Sequence, residues 1–447
     1  MQRRRFLQAT AALGTGSILA SQVGSRTAAG QGQPGADAEE QQMTPRSAAH
    51  FFQDEDFDFV FLGVLGGAYY QVADVGTCLA IADQIRDGDA ASAVQAMTAA
   101  GDRLAAIADE AAAAGRRVSA RQAYQQAANY TFAATYFVDR MGAPERFAPT
   151  WLRHQQLWDQ GAALLEPPVE RVRIPYEGTT LPGFFFNVDD SRRRRPLLIF
   201  NNGSDGSLVN AWTQGAAPAL ERGYNCLTFY GPGQGTALLE QRLYFRPDWE
   251  KVLTPVVDYA LGRPEVEPGQ IAVLGVSQGG YWVPQAVAFE QRVAAAVADP
   301  GVWNVATSWM ANLPPPMAAL LAAGQKAEFD QYMDEGLRDE PVAAATLAFR
   351  MRPYGLASPY DVFNAVEQYT LAGGVAERIR CPMLVTDPEG EQFWPGQSQQ
   401  LYDALPGPKL LVPFTAAEGA DLHCEVKAPG LRAQRIFDWL DSTLGRQ

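Results

Sequence analysis

The run Ile271-Ala272-Val273-Leu274-Gly275-Val276-Ser277-Gln278-Gly279-Gly280-Tyr281-Trp282-Val283 reads as a buried strand, a tight turn and the start of a helix. Four apolar residues precede the glycine-flanked serine, and an apolar helical pattern resumes directly after it. A serine at such a turn takes a strained backbone conformation that lifts its hydroxyl out at the strand end. The flanking glycines are required because a Cβ there would meet the neighbouring strand or helix. The helix that follows aims its N-terminal amides at the same place, where they favour developing negative charge. Ser277 is therefore a candidate nucleophile, and the elbow sets the frame for the rest of the chain.

Upstream, residues 172–176 and 182–188 read as a hairpin, followed by strands at 196–201, 225–230 and 270–275. Downstream come strands at 293–298, 382–387 and 409–414, most of them joined through helical segments. Eight strands in this order imply an α/β fold, a mostly parallel sheet with helices on both faces. Residues 301–380 are too long for an ordinary connection and rich in helix formers, with a break at Pro314-Pro315-Pro316, so they read as a helical lid insertion. Before the sheet, residues 68–85, 90–114, 120–138 and 148–165 carry apolar residues at three- and four-residue intervals, the pattern of a four-helix antiparallel bundle or cap.

The division expected is a signal at 1–29, a polar Gly/Gln/Glu-rich disordered linker at 30–43, a helical cap at 44–165, a core in two parts at 166–300 and 381–447, and the lid at 301–380 between them. Arg3-Arg4-Arg5-Phe6-Leu7 ahead of the weakly apolar residues 9–20 has the form of a twin-arginine signal, so the precursor is expected to engage the twin-arginine export machinery and act outside the cytoplasm. The apolar stretch is too short and too rich in Gly, Ser and Thr to span a bilayer. Loss of residues 1–29, which hold four arginines and no acid, takes the formal charge from −14 to −18. That acidity argues against nucleic acid or anionic lipid as a partner and says nothing of the pocket. A homodimer is compatible with the sequence.

Cys78, Cys226, Cys381 and Cys424 show no C-x-x-C spacing, so neither a zinc site nor a redox motif is indicated. Export permits a disulfide, and Cys381 with Cys424 is the pair whose positions flank the carboxyl half of the sheet.

A nucleophilic serine needs a base and an orienting acid. The chain has three histidines; His50 and His154 precede the sheet, the latter expected on a helix surface or at the domain junction. In the order serine, acid, histidine, His423 is the base, in the loop after the eighth strand. The acid belongs after the seventh strand, in Asp387-Pro388-Glu389-Gly390-Glu391-Gln392-Phe393-Trp394-Pro395. Glu391, four residues before Pro395, is the first choice, with Asp387 as the alternative and a turn residue otherwise. The amides of Gln278 and of Ser204, in the loop Asn202-Gly203-Ser204-Asp205-Gly206, complete an oxyanion hole. Tyr230-Gly231-Pro232-Gly233-Gln234-Gly235 reads as an architectural turn beside the elbow. Aromatics of the helical parts, Tyr136, Phe137 and Trp309 among them, read as core, with a minority lining a pocket.

From residue 169 onward the chain resembles an α/β-hydrolase. The helical N-terminal region with G-P-G-Q-G at Gly231–Gly235, D-W-E at Asp248–Glu250 and G-x-S-x-G-G-Y at Gly275–Tyr281 resembles the branch containing 2,6-dihydroxypseudooxynicotine hydrolase and FrsA-like esterases, related to prolyl oligopeptidase catalytic domains. The resemblance implies a serine nucleophile at Ser277, a base at His423, an acid near Glu391, a small-molecule substrate and no metal or organic cofactor. Two departures stand out: a glutamate where the acid is usually aspartate, and Tyr230 where many relatives carry aspartate before Gly-Pro-Gly. The triad chemistry serves ester or amide hydrolysis, C–C cleavage of a β-diketone, or acyl transfer. A ligand-binding protein on a hydrolase scaffold is the reading of another class, and its mark would be a missing serine, histidine or oxyanion glycine.

Overall fold

The computed structural model describes residues 50–445. The expected signal and linker lie outside them. Eight strands form one sheet in the order β1-β2-β4-β3-β5-β6-β7-β8. They are β1 Glu170–Tyr176, β2 Thr179–Phe186, β3 Arg195–Asn201, β4 Asn225–Phe229, β5 Val266–Val276, β6 Ala295–Asp299, β7 Met383–Pro388 and β8 Lys409–Phe414. β1 and β2 form a hairpin whose two-residue turn, Glu177-Gly178, has positive φ at both positions, matching strand twist. β2 runs antiparallel to β4, and the pairs from β4 through β8 are parallel.

The central strands alternate between two buried faces. Leu197, Ile199, Ile271 and Val273 pack on the side of Trp249 and Trp282, whereas Leu198, Phe200, Ala272 and Leu274 pack on the side of the C-terminal helix Pro429–Thr443. Both faces are covered, which is why these strands read as continuous apolar runs. Chain order reverses at β3, flanked by β4 on one side and β5 on the other, so the loops leaving β3 and β5 diverge and open a crevice. Register places Asn201 beside Gly275 and Val276 beside Asp299. The loop after β3, the elbow and the end of β6 thereby meet at one edge.

Among the described residues the N-terminal region holds five α-helices: Glu55–Gly66, Val75–Ala82, Ala90–Ala113, Arg117–Ala134 and Phe147–Ala162. The first was not expected. Its sequence EDFDFVFLGVLG is apolar almost all round, so periodicity gives no stripe; the Asp54 carboxylate starts it by accepting from the amides of Asp56 and Phe57. The single helix expected at 68–85 is two pieces, broken at Gln71 (φ +62°) and restarted by Asp74, whose side chain caps Thr77 N–H. The insertion carries helices Ala306–Met310, Pro315–Ala322, Lys326–Leu337, Pro341–Met351 and Pro359–Val366, the proline run supplying the first turn of the second.

Two further expectations are corrected. Cys381 and Cys424 are free; Cys424 is buried with Sγ donating to Asp299 O at 3.4 Å. His154 is wholly buried, not on a helix surface, with Nδ1 2.9 Å from Ala128 O and its ring against Phe132 and Trp151. Burial pushes its imidazole down to about 4.

Candidate active site

At the end of β5, Ser277 sits at φ +57°, a left-handed conformation that costs a serine about 1–2 kcal/mol. The surroundings hold it there: Ser277 N–H donates to Asp299 O at 2.7 Å and Gly280 N–H to Ser277 O at 2.8 Å. The glycines are enforced sterically. A Cβ at Gly275 would lie 2.1 Å from Gly279 O, and one at Gly280 would lie 1.8 Å from Pro300 O. Gln278, buried, occupies the N-cap of helix Gly279–Val287, so the amide that follows the serine lies at a helix N-terminus.

His423 and Glu391 meet 32 residues apart in sequence because their loops are stitched together. Gly390 N–H donates to Asp421 O at 2.9 Å, and His423 N–H to Gln392 Oε1 at 3.2 Å. The Glu391 Oε2 then lies 2.8 Å from His423 Nδ1, and its Oε1 accepts from the amides of Phe393 at 2.9 Å and Trp394 at 3.1 Å. Both side chains are buried, and the imidazole is packed by Phe393, Trp394 and Phe59 at centroid distances of 4.7, 5.9 and 6.4 Å. Asp387 is placed differently: it stays in β7 opposite Pro413, and its carboxyl interacts with Ser398. Burial, and then the Glu391 charge, raise it above the usual carboxylate range.

Of the loop after β3, Gly203 is packed on the serine; a Cβ there would lie 2.5 Å from Ser277 Cβ. Its N–H donates to Asn202 Oδ1 at 3.0 Å. Ser204 lies one residue further, on the wall of an adjoining cavity of about 40 Å³. Gln234 braces the loop, its Nε2 donating to Asn202 O and Gly203 O, each at 2.8 Å, while its Oε1 accepts from Gly231 N–H at 2.8 Å. Trp249 braces the strand end through Nε1 to Asn201 Oδ1 at 2.7 Å.

Ser277 and His423 line one cavity of about 170 Å³. Its other walls come from the first helix (Asp56, Phe59, Val60), from Tyr136 and Phe137 beyond helix Arg117–Ala134, and from Phe349 and Arg350 of helix Pro341–Met351. Arg352 Nη2 donates to both carboxylate oxygens of Asp139, at 2.7 and 2.9 Å, and ties the insertion to the N-terminal region beside this cavity. Trp309, by contrast, packs in the core against Tyr354 and Phe363.

No family model matches the sequence. It is 32% identical over 431 residues to the alpha/beta hydrolase psoB of Aspergillus fumigatus, covering 89% of this chain and 95% of that one. The chain belongs to the α/β-hydrolase family. Hydrolase LUC6 of a Fusarium species is likewise 32% identical over 410 residues, covering 88% of this chain and 98% of the relative. The 20-hydroxy-prefusarin hydrolase FUS2 of Gibberella moniliformis is 30% identical over 415 residues, 88% of this chain and 97% of its own. Among solved structures, 2,6-dihydroxy-pseudo-oxynicotine hydrolase shares the fold with a TM-score of 0.67 at 20% identity, over 85% of this chain and 96% of that one.

Sequence reading of this hydrolase missed the Gln234 brace, although it marked the turn carrying it; a glutamine between two glycines was the available signal. It also missed Phe59, because the helix that carries it was not expected.

Proposed function

We propose that this hydrolase cleaves a small ester or amide through an acyl-enzyme formed on Ser277. The observation that carries the reading is the Glu391 carboxylate 2.8 Å from His423 Nδ1, with His423 and Ser277 lining one cavity. Glu391 keeps the Nδ1 proton in place, which leaves Nε2 free to accept the Ser277 proton as Oγ attacks the carbonyl carbon. The tetrahedral oxygen takes hydrogen bonds from Gln278 N–H and from the loop after β3. The Gly203 amide is engaged with Asn202 Oδ1, and the next amide, Ser204, is the second donor assigned in this scheme. Imidazolium returns the proton to the leaving group, the acyl group stays on Oγ, and water activated by His423 completes hydrolysis. Walls contributed by both helical regions favour slender substrates over folded proteins.

The test is labelling of the purified protein with a fluorophosphonate probe, alongside a panel of aryl esters, aminoacyl amides and β-diketones. Labelling that disappears in Ser277→Ala supports the nucleophile; an unlabelled, inert protein would leave a ligand-binding role. Turnover of β-diketones alone, or acyl transfer to an added alcohol in preference to water, would redirect the reaction while keeping the nucleophile. We also propose export through the twin-arginine route, supported by Arg3-Arg4 ahead of Phe6-Leu7. Changing both arginines to lysine should trap folded precursor inside the cell.

A further inference from the structure

Directly behind the elbow the fold buries three ionisable side chains that the reaction scheme does not use. Asp299 ends β6, Glu425 follows His423 by two residues, and Arg432 lies in helix Pro429–Thr443; none is more than 1% exposed. Arg432 Nε donates to Asp299 Oδ2 at 2.5 Å and Nη1 to Gln214 O at 3.0 Å, while Asp299 Oδ1 accepts from Thr386 Oγ1 at 2.8 Å. The Asp299 backbone carbonyl is the acceptor for both Ser277 N–H and the Cys424 thiol. One residue thus touches the nucleophile's backbone and the neighbour of the base.

Glu425 is the anomaly in this cluster. Neither of its oxygens accepts from an N–H or O–H among the described residues, and Arg432 Nε, already given to Asp299, stands 3.6 Å away. Arg432 Nη2 is also unpartnered and makes no hydrogen bond to Glu425, so two ionised carboxylates around one guanidinium would leave a net negative charge buried with no donor on Glu425, an arrangement that proteins avoid by retaining a proton. A proton on Glu425 supplies the missing donor, and the carboxyl beside it is that of Asp299. Burial is the largest influence and Asp299 the next, with Glu391 adding to both and Arg432 opposing; all push or pull on Glu425 from separate elements. The Cys424 thiol beside it is likewise raised by burial. The backbone there is strained too: Cys424 at φ +54° and Glu425 at φ +48° are successive left-handed residues without a glycine, immediately after His423. Such strain persists only where surrounding contacts over-determine it.

We propose that Glu425 is a positioning residue for the active site, a neutral acid whose proton bridges to Asp299 and whose anchored side chain holds His423 in its strained turn. The bridge keeps the cluster electrically neutral behind the site where the oxyanion forms. It also couples the histidine loop to the β6 end that fixes Ser277.

Three variants and two readouts independent of turnover test this. In an infrared difference spectrum between wild type and Glu425→Gln at neutral pH, wild type should show the carbonyl stretch of a protonated carboxylic acid that the variant lacks. A carboxyl held neutral in the fold loses stability to the unfolded chain as pH rises above the ordinary glutamate range. The melting temperature of Glu425→Gln relative to wild type should therefore climb between about pH 5 and pH 8. Glu425→Ala should lower kcat about 10- to 100-fold with KM little changed, as expected for a displaced base. Glutamine, which keeps the neutral donor, should recover most of that loss and Glu425→Asp, too short to reach, should not. Absence of the acid band, a relative melting temperature that falls with pH, or a glutamine variant as impaired as alanine would each overturn the proposal. The kinetic arm rests on the Ser277–His423 reading and the spectroscopic and thermal arms do not. Failure of that reading would appear as absent fluorophosphonate labelling with the acid band intact, and if Glu425→Ala does not fold the other arms still decide.

Discussion

Replacing Glu391 with glutamine changes one atom and should silence the enzyme while leaving its fold in place. The side chain has two obligations: Oε1 accepts two backbone amides, from Phe393 at 2.9 Å and Trp394 at 3.1 Å, and Oε2 faces His423 Nδ1 at 2.8 Å. A glutamine has one acceptor oxygen and one donor nitrogen. Turning the nitrogen toward two amides would set donors against donors and forfeit two hydrogen bonds, so the oxygen must stay there and the NH2 must face the imidazole. His423 Nδ1 then becomes an acceptor, the ring proton moves to Nε2, and Nε2 loses the lone pair that the proposed mechanism uses to receive the Ser277 proton. A wrong-tautomer base of this kind lowers kcat by about four powers of ten, ~5 kcal/mol of transition-state stabilisation. The stability loss is smaller, about 1 kcal/mol, because a charge-assisted hydrogen bond is exchanged for a neutral one of the same shape. Steady-state turnover of an aryl ester measures the first effect and urea unfolding the second. Activity within tenfold of wild type, or a larger loss in Asp387→Asn, would refute the assignment of the acid.

Three further outcomes follow from the same geometry. Ser277→Gly should abolish labelling yet melt at a higher temperature, gaining about 1 kcal/mol from release of the φ +57° strain; a lower melting temperature would show that the elbow is unstrained. Gln234→Leu leaves the carbonyl of Gly203 and the amide of Gly231 unpaired in the interior, while the Asn202 carbonyl keeps Asn201 Nδ2, so it should cost about 2–3 kcal/mol in urea unfolding and depress kcat through a loosened oxyanion loop. His154, at about 4 when folded against about 6.5 unfolded, binds its proton more readily in the unfolded chain. Its contribution to stability is therefore complete above about pH 6.5 and is lost as pH falls toward 4, amounting to about 3 kcal/mol at most. Melting curves across that window should flatten in His154→Phe, and equal slopes for the two proteins would remove the buried histidine as the cause.

What local sequence determined is what local sterics and periodicity can express. The strands announce themselves because both faces of the sheet are covered, so apolar runs need no partner information to be recognised. The elbow is legible because its glycines answer to clashes within a few residues, as at Gly275 against Gly279. His423 stands out through scarcity, in a chain with three histidines. Where the signal depends on partners far along the chain, sequence was silent or misleading. The choice between Glu391 and Asp387 turns on a loop stitched to the histidine loop by Gly390 and Gln392, contacts that only folding creates. Helix Glu55–Gly66 carries apolar residues beyond its buried face, Phe59, Val60 and Leu65 being only partly covered, so no helical stripe marks it. His154 looks like any polar residue on an amphipathic helix until the neighbouring helix covers it. The Asp299–Glu425–Arg432 cluster joins residues 133 apart in sequence, and the protonation proposed for it rests on the burial of all three and the lack of a donor to Glu425. Spacing along a chain encodes faces and turns; which charges share an interior, and which of them keep a proton, is decided by three-dimensional proximity and desolvation.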